Sequence, residues 1–349
     1  MVVRSLRDDP NLEWVIFANK GHGLEVDSPR IRVVSLVTCQ WHVGLRLLCD
    51  HVLVGPMARM LGCEKILSVG FVPTVCPLPC VMHMFTLHHL NAHNKVSKLR
   101  SSYRRIAVGN GLRKADLVIT NSEFAASQIR ASTSSKPRIV VSNEGLDHEQ
   151  FHPRPRPTEA AVLESKYALK PGYLLWLSNM YIYKQAESLI EKYALLPSEV
   201  RAVHPLVFVG GDWVGQRAKC ERLAQELGIG KDVRFLGFLP DELIPALYRQ
   251  AAAHVLASRE ETWGRTVSEA MACGCPCIVN DIPVMHEVAR GAALMVNFDD
   301  SAKVVSGLRE ILTDEGTRER LREAGLARAA ELSFERLTKE RMAAIAESF

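Results

Sequence analysis

The sequence has few of the features that mark membrane, secreted or nucleic-acid-binding proteins. Aromatic residues make up only 7% of the 349 residues, which argues against an aromatic-rich surface for stacking nucleic-acid bases. The longest apolar region, Val33 to Val54, contains Gln40, Arg46 and Asp50 and is too polar for a membrane span of about 20 residues. Charged residues also interrupt the first apolar residues of the chain, so no secretory signal peptide is expected.

The nine cysteines lack the spacing of a zinc site or of a disulfide framework. Cys76 and Cys80 form one group, and Cys273, Cys275 and Cys277 form another, without paired C-x-x-C spacing. The odd number leaves one cysteine unpaired in any complete disulfide scheme. We therefore expect free thiols in a reducing cytosol, with the second group in the protein core, and no bound metal.

Composition and charge are those of an ordinary globular protein. Hydrophobic residues make up 47% and charged residues 23%, with a net charge of +4, which excludes disorder and coiled coil as overall classes. Seven basic residues and no acidic residue lie between Lys95 and Lys114. This stripe is either a solvated helix face or a surface for anionic lipid headgroups or an anionic acceptor.

Short apolar runs alternate with helical patterns along the chain, which is typical of α/β proteins with parallel sheets. The predicted strands are 14–17, 31–35, 65–69, 81–87, 117–121, 138–142, 173–178, 206–209, 233–236, 254–257, 276–279 and 294–296. Alternating prolines after His152 predict a linker between two domains.

The domain boundaries follow from this linker. We assign residues 1–152 to a first Rossmann-like domain, 153–170 to the linker and 171–330 to a second Rossmann-like domain. Residues 331–349 are expected to form a helix that returns to the first domain. The tail from Thr317 onward is expected to be helical throughout.

The segment 257–274 contains the most informative pattern in the sequence. A strand is expected to end near Ala257. A polar loop that contains Gly264 follows and leads into a short helix near 267–273. The amides at the start of this helix form an anion site suited to a diphosphate, and Gly264 lets the backbone approach a ligand closely. These amides are those of Arg265, Thr266 and Val267.

Two carboxylates flank this anion site. Glu261 and Glu269 are separated by seven residues, and Glu269 is expected in the first turn of the helix. Carboxylates that faced a phosphate would repel it. They make sense if each accepts hydrogen bonds from hydroxyls, those of a ribose on one side of the diphosphate and of a sugar on the other.

This pattern resembles the E-x7-E signature of the retaining glycosyltransferases of the GT-B fold, the large group that includes the family-four enzymes. Segments 85–90, 175–184, 206–212 and 233–240 resemble other elements of that family in the expected order. The resemblance extends over roughly residues 10 to 330 and is specific because several elements agree in sequence order. It implies two doubly wound domains that face each other across a cleft.

The resemblance also implies a role for each matched residue. Glu261 would hold hydroxyls of the donor sugar, Lys184 would neutralise the diphosphate, and His88 at a strand end would contact the transferred sugar. The remaining implied donor-binding residues hold the ribose, line the Gly turns and the helix start, or contact the base through the backbone. They are Glu269, Gly211, Gly264, Arg265, Thr266, Val267, Phe238 and Leu239.

The function implied is that of a retaining, metal-independent hexosyltransferase. The donor would be a nucleotide-diphosphate sugar, with mannose as the expected hexose, and no separate cofactor is expected. The acceptor would be a saccharide or a lipid-linked hydroxyl in the synthesis of a cell-surface polysaccharide or glycolipid. We expect a cytoplasmic protein with no nucleic-acid partner, and with peripheral contact to the inner face of the membrane through Lys95–Lys114.

Two departures from the family pattern keep alternatives open. Asn179 stands where many relatives carry a second phosphate-binding Arg, and the first residues resemble the end of the family's first helix, without the preceding strand and Gly-rich loop. A truncated or non-catalytic nucleotide-binding relative is therefore the main alternative. A sugar-nucleotide epimerase or a dehydrogenase is a further one, although the dehydrogenase lacks its G-x-G-x-x-G turn.

Overall fold

A computed structural model describes residues 9–19, 26–36, 47–85 and 98–347, together with Ser5. Contacts divide the chain into two units, Met1–Asn143 with Glu335–Phe349, and Glu144–Phe334. Both units contain parallel strands together with helices. The predicted parallel α/β class is therefore confirmed.

The second unit contains a sheet of six strands, all parallel to their neighbours. In chain order the strands are β7 (Leu174–Leu177), β8 (Leu206–Val209), β9 (Val233–Gly237), β10 (Ala253–Leu256), β11 (Cys277–Asn280) and β12 (Leu294–Val296). Strands β8, β10 and β11 are buried at every residue. Such continuous apolar runs are expected where helices cover both faces of a parallel sheet.

Nine helices surround this sheet in the described part of the second unit. They are α4 (Glu159–Tyr167), α5 (Ala186–Ala194), α6 (Ser198–Val203), α7 (Arg217–Glu226), α8 (Ile244–Gln250), α9 (Arg265–Ala272), α10 (Pro283–Ala289), α11 (Ser301–Thr313) and α12 (Glu315–Ala330). Trp176, Tyr193 and Phe208 are among the buried side chains of the core they form with the sheet.

The strand order of this sheet determines where a ligand site can form. The order β12-β11-β10-β7-β8-β9 is that of a doubly wound nucleotide-binding sheet, in which two halves extend in opposite directions from the middle. The halves meet between β7 and β10. Connections leave these two strands toward opposite sides, so a crevice opens at their carboxyl ends.

The first unit has a smaller sheet and a separate strand pair. Strands β3 (Ile66–Val69), β4 (Cys80–His83), β5 (Leu117–Thr120) and β6 (Arg138–Val141) lie in chain order, and β1 (Trp14–Asn19) pairs in parallel with β2 (Ile31–Leu36). The described helices of this unit are α1 (Val54–Met60), α2 (Lys98–Lys114), α3 (Glu123–Ser132) and α13 (Phe334–Ala346).

Helix α13 belongs to the first unit except at its first residue. Arg341 donates from Nε to the Ser142 hydroxyl at 3.2 Å and from Nη2 to the Asn143 carbonyl at 3.2 Å. Ile345 packs against the buried cluster of Val81, Leu117 and Ile119 on strands β4 and β5.

Two expectations about regular structure are corrected. The tail is not helical throughout, because residues 331–333 separate α12 from α13, and Ser333 forms a bridge with Leu146. The Leu146 amide donates to the Leu332 carbonyl at 2.7 Å. The segment 153–170, expected to be a linker, contains helix α4 and lies within the second unit.

Helix α4 is attached to the second unit by a buried ion pair. Glu159 at its start is hydrogen-bonded by Arg249 of α8, with Nε to Oε1 at 2.7 Å, and the two side chains are 8% and 4% exposed. Burial alone raises the pKa of Glu159, but the hydrogen bonds and charges of Arg249 and Arg156 together outweigh burial and lower it. The prolines therefore lead into a docked helix.

We predict that Glu159→Ala destabilises the second unit by about 3 kcal/mol, because it leaves the Arg249 charge buried and unpaired. Urea unfolding followed by tryptophan fluorescence measures this, since Trp176 and Trp263 are buried in that unit. The stabilisation is present above the unfolded pKa near 4.5 and is lost as the pH falls through the lower folded value. The matched control is Glu221→Ala in the Arg217–Glu221 pair of the same unit, whose side chains are about half exposed, and it should change stability by less than about 1 kcal/mol.

Candidate functional site

The loops that follow β7 and β10 flank the crevice and are joined to each other. Gln185 donates from Nε2 to the Ala257 carbonyl at 2.8 Å, and the Arg259 amide donates to the Tyr183 carbonyl at 2.9 Å. Lys184 of the first loop forms an ion pair with Glu261 of the second. The structure thus brings together two side chains that are 77 residues apart in sequence.

The start of α9 lies at the end of the second loop. Gly264 precedes the helix with φ of +88°, and a Cβ at this position would lie 2.5 Å from Cε of Met285. The helix begins at Arg265, two residues earlier than expected, because Gly264 adopts the left-handed conformation that only glycine accepts readily.

One of the three amides expected at the anion site is already engaged. The Val267 amide donates to the Gly264 carbonyl at 2.9 Å. The amides of Arg265 and Thr266 lie in the first turn, where no preceding helical carbonyl can accept from them. These two amides and the positive end of the helix dipole remain suited to an anion.

Glu269 lies in the second turn of α9 and is held by two partners. Arg265 donates from Nε to Oε1 at 2.9 Å, and Tyr248 donates its hydroxyl to Oε2 at 3.2 Å. The residue is 7% exposed, and burial raises the pKa of its carboxyl. Its expected place in the first turn is corrected, because the helix starts at Arg265.

A buried histidine that the sequence did not single out connects β7, β10 and α9. His254 Nδ1 lies 3.1 Å from the Leu175 carbonyl, and Nε2 lies 3.2 Å from the Thr266 hydroxyl. Burial lowers the pKa of His254 to about 4, so the ring is neutral near pH 7. A carbonyl can only accept, so Nδ1 carries the proton and Nε2 accepts from Thr266. His254 thereby orients the first turn of α9.

The loops after β7 and β8 touch at two glycines. Gly210 has φ of +135°, and a Cβ there would lie 1.9 Å from the Ser178 carbonyl oxygen. The Gly211 amide donates to the side-chain oxygen of Asn179 at 3.2 Å, and the Trp213 indole donates to the same oxygen at 3.3 Å. Asn179, at the position of the missing Arg, therefore organises these loops.

The residues expected near a base differ from each other in exposure. Phe238 follows β9 and is 77% exposed, whereas Leu239 is buried. Trp213 is also exposed at 73%, but Trp263 is buried and donates from its indole to the Ser268 hydroxyl at 3.1 Å.

Some expectations fall in the first unit or outside the described residues. His88 and the first part of the Lys95–Lys114 stripe lie outside the described residues. Within the described ranges no helix has the length and apolar character needed to cross a membrane. The same ranges contain no group of three His, Cys, Asp or Glu side chains placed to hold a metal ion. The cysteines at 273, 275 and 277 are buried, as expected.

The charges around the crevice balance one another. Lys184 and Arg265 are each paired with a carboxylate, those of Glu261 and Glu269 respectively. A bound anion would therefore meet two cations, two helix amides and two carboxylates that can accept hydroxyl hydrogens. This set of groups can hold a ligand that combines a phosphate with polyhydroxyl groups on both sides.

A solved structure with the same fold identifies the class. Sucrose-phosphate synthase from Thermosynechococcus elongatus matches with a TM-score of 0.80 at 20% identity, over 99% of this chain and 92% of that chain. The fold is therefore that of the GT-B glycosyltransferases.

The sequence comparisons agree with this fold. Residues 163–328 match the family described as glycosyl transferases group 1. It is 31% identical to O-antigen chain mannosyltransferase B of Escherichia coli over 70% of this chain and 64% of that protein. It is 32% identical to the D-inositol 3-phosphate glycosyltransferase of Corynebacterium urealyticum over 68% of this chain and 58% of that protein. The chain thus spans less than two thirds of the length of these relatives.

We predict that Gly210→Ala disrupts the β7 and β8 loops and destabilises the second unit by more than about 3 kcal/mol. The added methyl group would lie 1.9 Å from the Ser178 carbonyl oxygen, a backbone atom, so the backbone of one loop would have to shift. Gly228→Ala is the control, because Gly228 has φ of +70° but no atom within 4 Å of its Cβ position. It should lose only about 1 kcal/mol, through backbone strain. Equal losses of unfolding free energy in urea would contradict the assigned clash.

Proposed function

We propose that this chain is a retaining, metal-independent hexosyltransferase that uses a nucleotide-diphosphate sugar and needs no separate cofactor. The observation that carries the proposal is the convergence of Lys184, Glu261 and the start of α9 at the crevice between β7 and β10. Ligands of doubly wound sheets bind at this place. The match of residues 163–328 to the glycosyl transferases group 1 supports a sugar as the transferred group.

In the proposed reaction, negative charge builds up on the departing nucleoside diphosphate. The bond between the anomeric carbon and a phosphate oxygen breaks, and a bond from the anomeric carbon to the acceptor oxygen forms on the same face. The acceptor's proton passes to the leaving phosphate. Lys184 and the amides of Arg265 and Thr266 stabilise the charge on that phosphate, which is where electrostatic catalysis is strongest.

The other proposed contacts orient the donor. Glu261 accepts hydrogen bonds from hydroxyls of the sugar, and Glu269 accepts from the ribose. The turn at Gly211 and the Phe238–Leu239 backbone lie at the ends of the neighbouring strands β8 and β9, on the side proposed for the base. His88 is proposed to contact the transferred sugar. Mannose is the proposed hexose, because one relative is named a mannosyltransferase.

We predict that the protein binds at least one of UDP, GDP and ADP in calorimetric titration. Lys184→Met should weaken this binding at least about tenfold, because it removes the proposed phosphate cation. Lys303→Met is the control, since Lys303 is also ion-paired but is 70% exposed. Binding of none of the three nucleotides, or equal affinity of Lys184→Met and wild type, would exclude this donor site.

Turnover separates an enzyme from a nucleotide-binding relative that does not catalyse transfer. A screen of radiolabelled sugar nucleotides should detect slow donor hydrolysis, and a hydroxyl acceptor should then retain the label. A protein that binds nucleotide but releases no sugar from any donor would favour the non-catalytic alternative.

The acceptor is proposed to be a saccharide or a lipid-linked hydroxyl close to the inner membrane surface. Arg104, Arg105, Arg113 and Lys114 are exposed on α2, in a segment with no acidic residue. We predict that vesicles with anionic lipids retain the protein at low salt and release it at high salt. Equal retention by neutral vesicles, or none by anionic ones, would remove the basis for this contact.

A further inference from the structure

The ion pair between Lys184 and Glu261 holds together two side chains that must separate when the proposed donor binds. Nζ of Lys184 lies 2.5 Å from Oε1 of Glu261, and the two side chains are 14% and 13% exposed. The pair is therefore largely shielded from solvent, unlike Arg217–Glu221, whose side chains are about half exposed. Shielding makes the attraction stronger than that of a surface ion pair.

A diphosphate cannot use Lys184 while this ion pair persists unchanged. The phosphate oxygens compete with the carboxylate of Glu261 for the same ammonium group. They also meet that carboxylate as a like charge at short range. A free nucleoside diphosphate therefore has to displace Glu261 and leaves its carboxylate without a partner in a poorly hydrated place.

An intact sugar donor does not have this disadvantage. Its phosphates take Lys184, and its sugar hydroxyls can donate to the carboxylate that is released. The partners of both charged groups are exchanged, and neither is left unpaired. The same ion pair therefore opposes the product nucleotide more than it opposes the donor.

Resting on the proposed function, we propose that Glu261 is a specificity-determining residue that discriminates the intact nucleotide sugar from the free nucleoside diphosphate. It does so through its ion pair with Lys184, which re-forms when the sugar has left and helps to expel the product. The other carboxylate at the site has no such role. Both oxygens of Glu269 are held by Arg265 and Tyr248, and Arg265 is 68% exposed, so that pair is screened by solvent.

The test compares affinities for GDP and GDP-mannose, for UDP and UDP-glucose, and for ADP and ADP-glucose, by calorimetry. Glu261→Gln should bind the free diphosphate about fivefold more tightly than wild type, because Lys184 is no longer held by a carboxylate. It should bind the sugar nucleotide no better than wild type. The ratio of the two affinities, which favours the donor in wild type, should therefore fall.

Glu260→Gln is the matched control. It removes the same charge one residue away without removing the partner of Lys184, so it reports the effect of the general electrostatic field. Its affinity ratio should equal that of wild type. Glu261→Ala serves as a second variant that also lacks the carboxylate, and thermal unfolding of each variant checks that it is folded.

The outcomes distinguish the two proposals. If wild type binds none of these ligands, the proposed function fails and this inference fails with it. If wild type binds them but both Glu261 variants bind the free diphosphate equally or more weakly, only this inference is overturned. An increase of the same size in Glu260→Gln would also overturn it, because the cause would then be net charge.

Discussion

The short pairing between β7 and β10 is the constraint on which the site depends. These central strands pair through two residues each, Leu174 with Ala253 and Leu175 with His254. Beyond this pairing each strand continues for two residues with only its outer neighbour as partner, β7 with β8 and β10 with β11, before its loop begins. The loop backbone left without ladder partners is connected by side chains, among them Gln185, whose amide reaches the Ala257 carbonyl. A crevice with polar walls follows from strand order and from a ladder that ends early.

Polar groups at this crevice are oriented by other polar residues that are buried behind them. His254 is fully buried, fixes the Thr266 hydroxyl at the start of α9, and has Tyr248 edge-on against its ring at 5.5 Å. Tyr248 in turn reaches Glu269. Groups proposed to contact a ligand are thus oriented by buried groups behind them, which preorganises charge and hydrogen-bond donors.

Much of the fold could be predicted because buried parallel strands are continuous apolar runs in the sequence. All twelve predicted strands have counterparts among the described residues, with shifts of at most two residues at their ends, except that the strand predicted at 81–87 ends at His83. The glycine before α9 was also recognisable. Its effect on where the helix begins was not, because the glycine alone does not indicate that its φ is +88° at this position.

The remaining features depend on contacts between distant parts of the chain. Lys184 and Glu261 were each identified, but no local pattern indicates that they are paired across the sheet. The sequence does not point to His254, because a single polar residue in an apolar strand gives no sign of its partners. The prolines after His152 indicate a linker. The helix that follows them, α4, is held by Arg249, which lies 90 residues away, so no local pattern reveals this contact.

The membership of α13 in the first unit has a consequence for the order of folding during synthesis. The strands of that unit leave the ribosome first, but α13 follows only after all of Glu144–Phe334 has been made. The buried cluster at Val81, Leu117 and Ile119 lacks Ile345 until then. The second unit is continuous in sequence and can complete its core before α13 of the first unit has been synthesised. The unit whose strands are translated first is thus the last to complete its core.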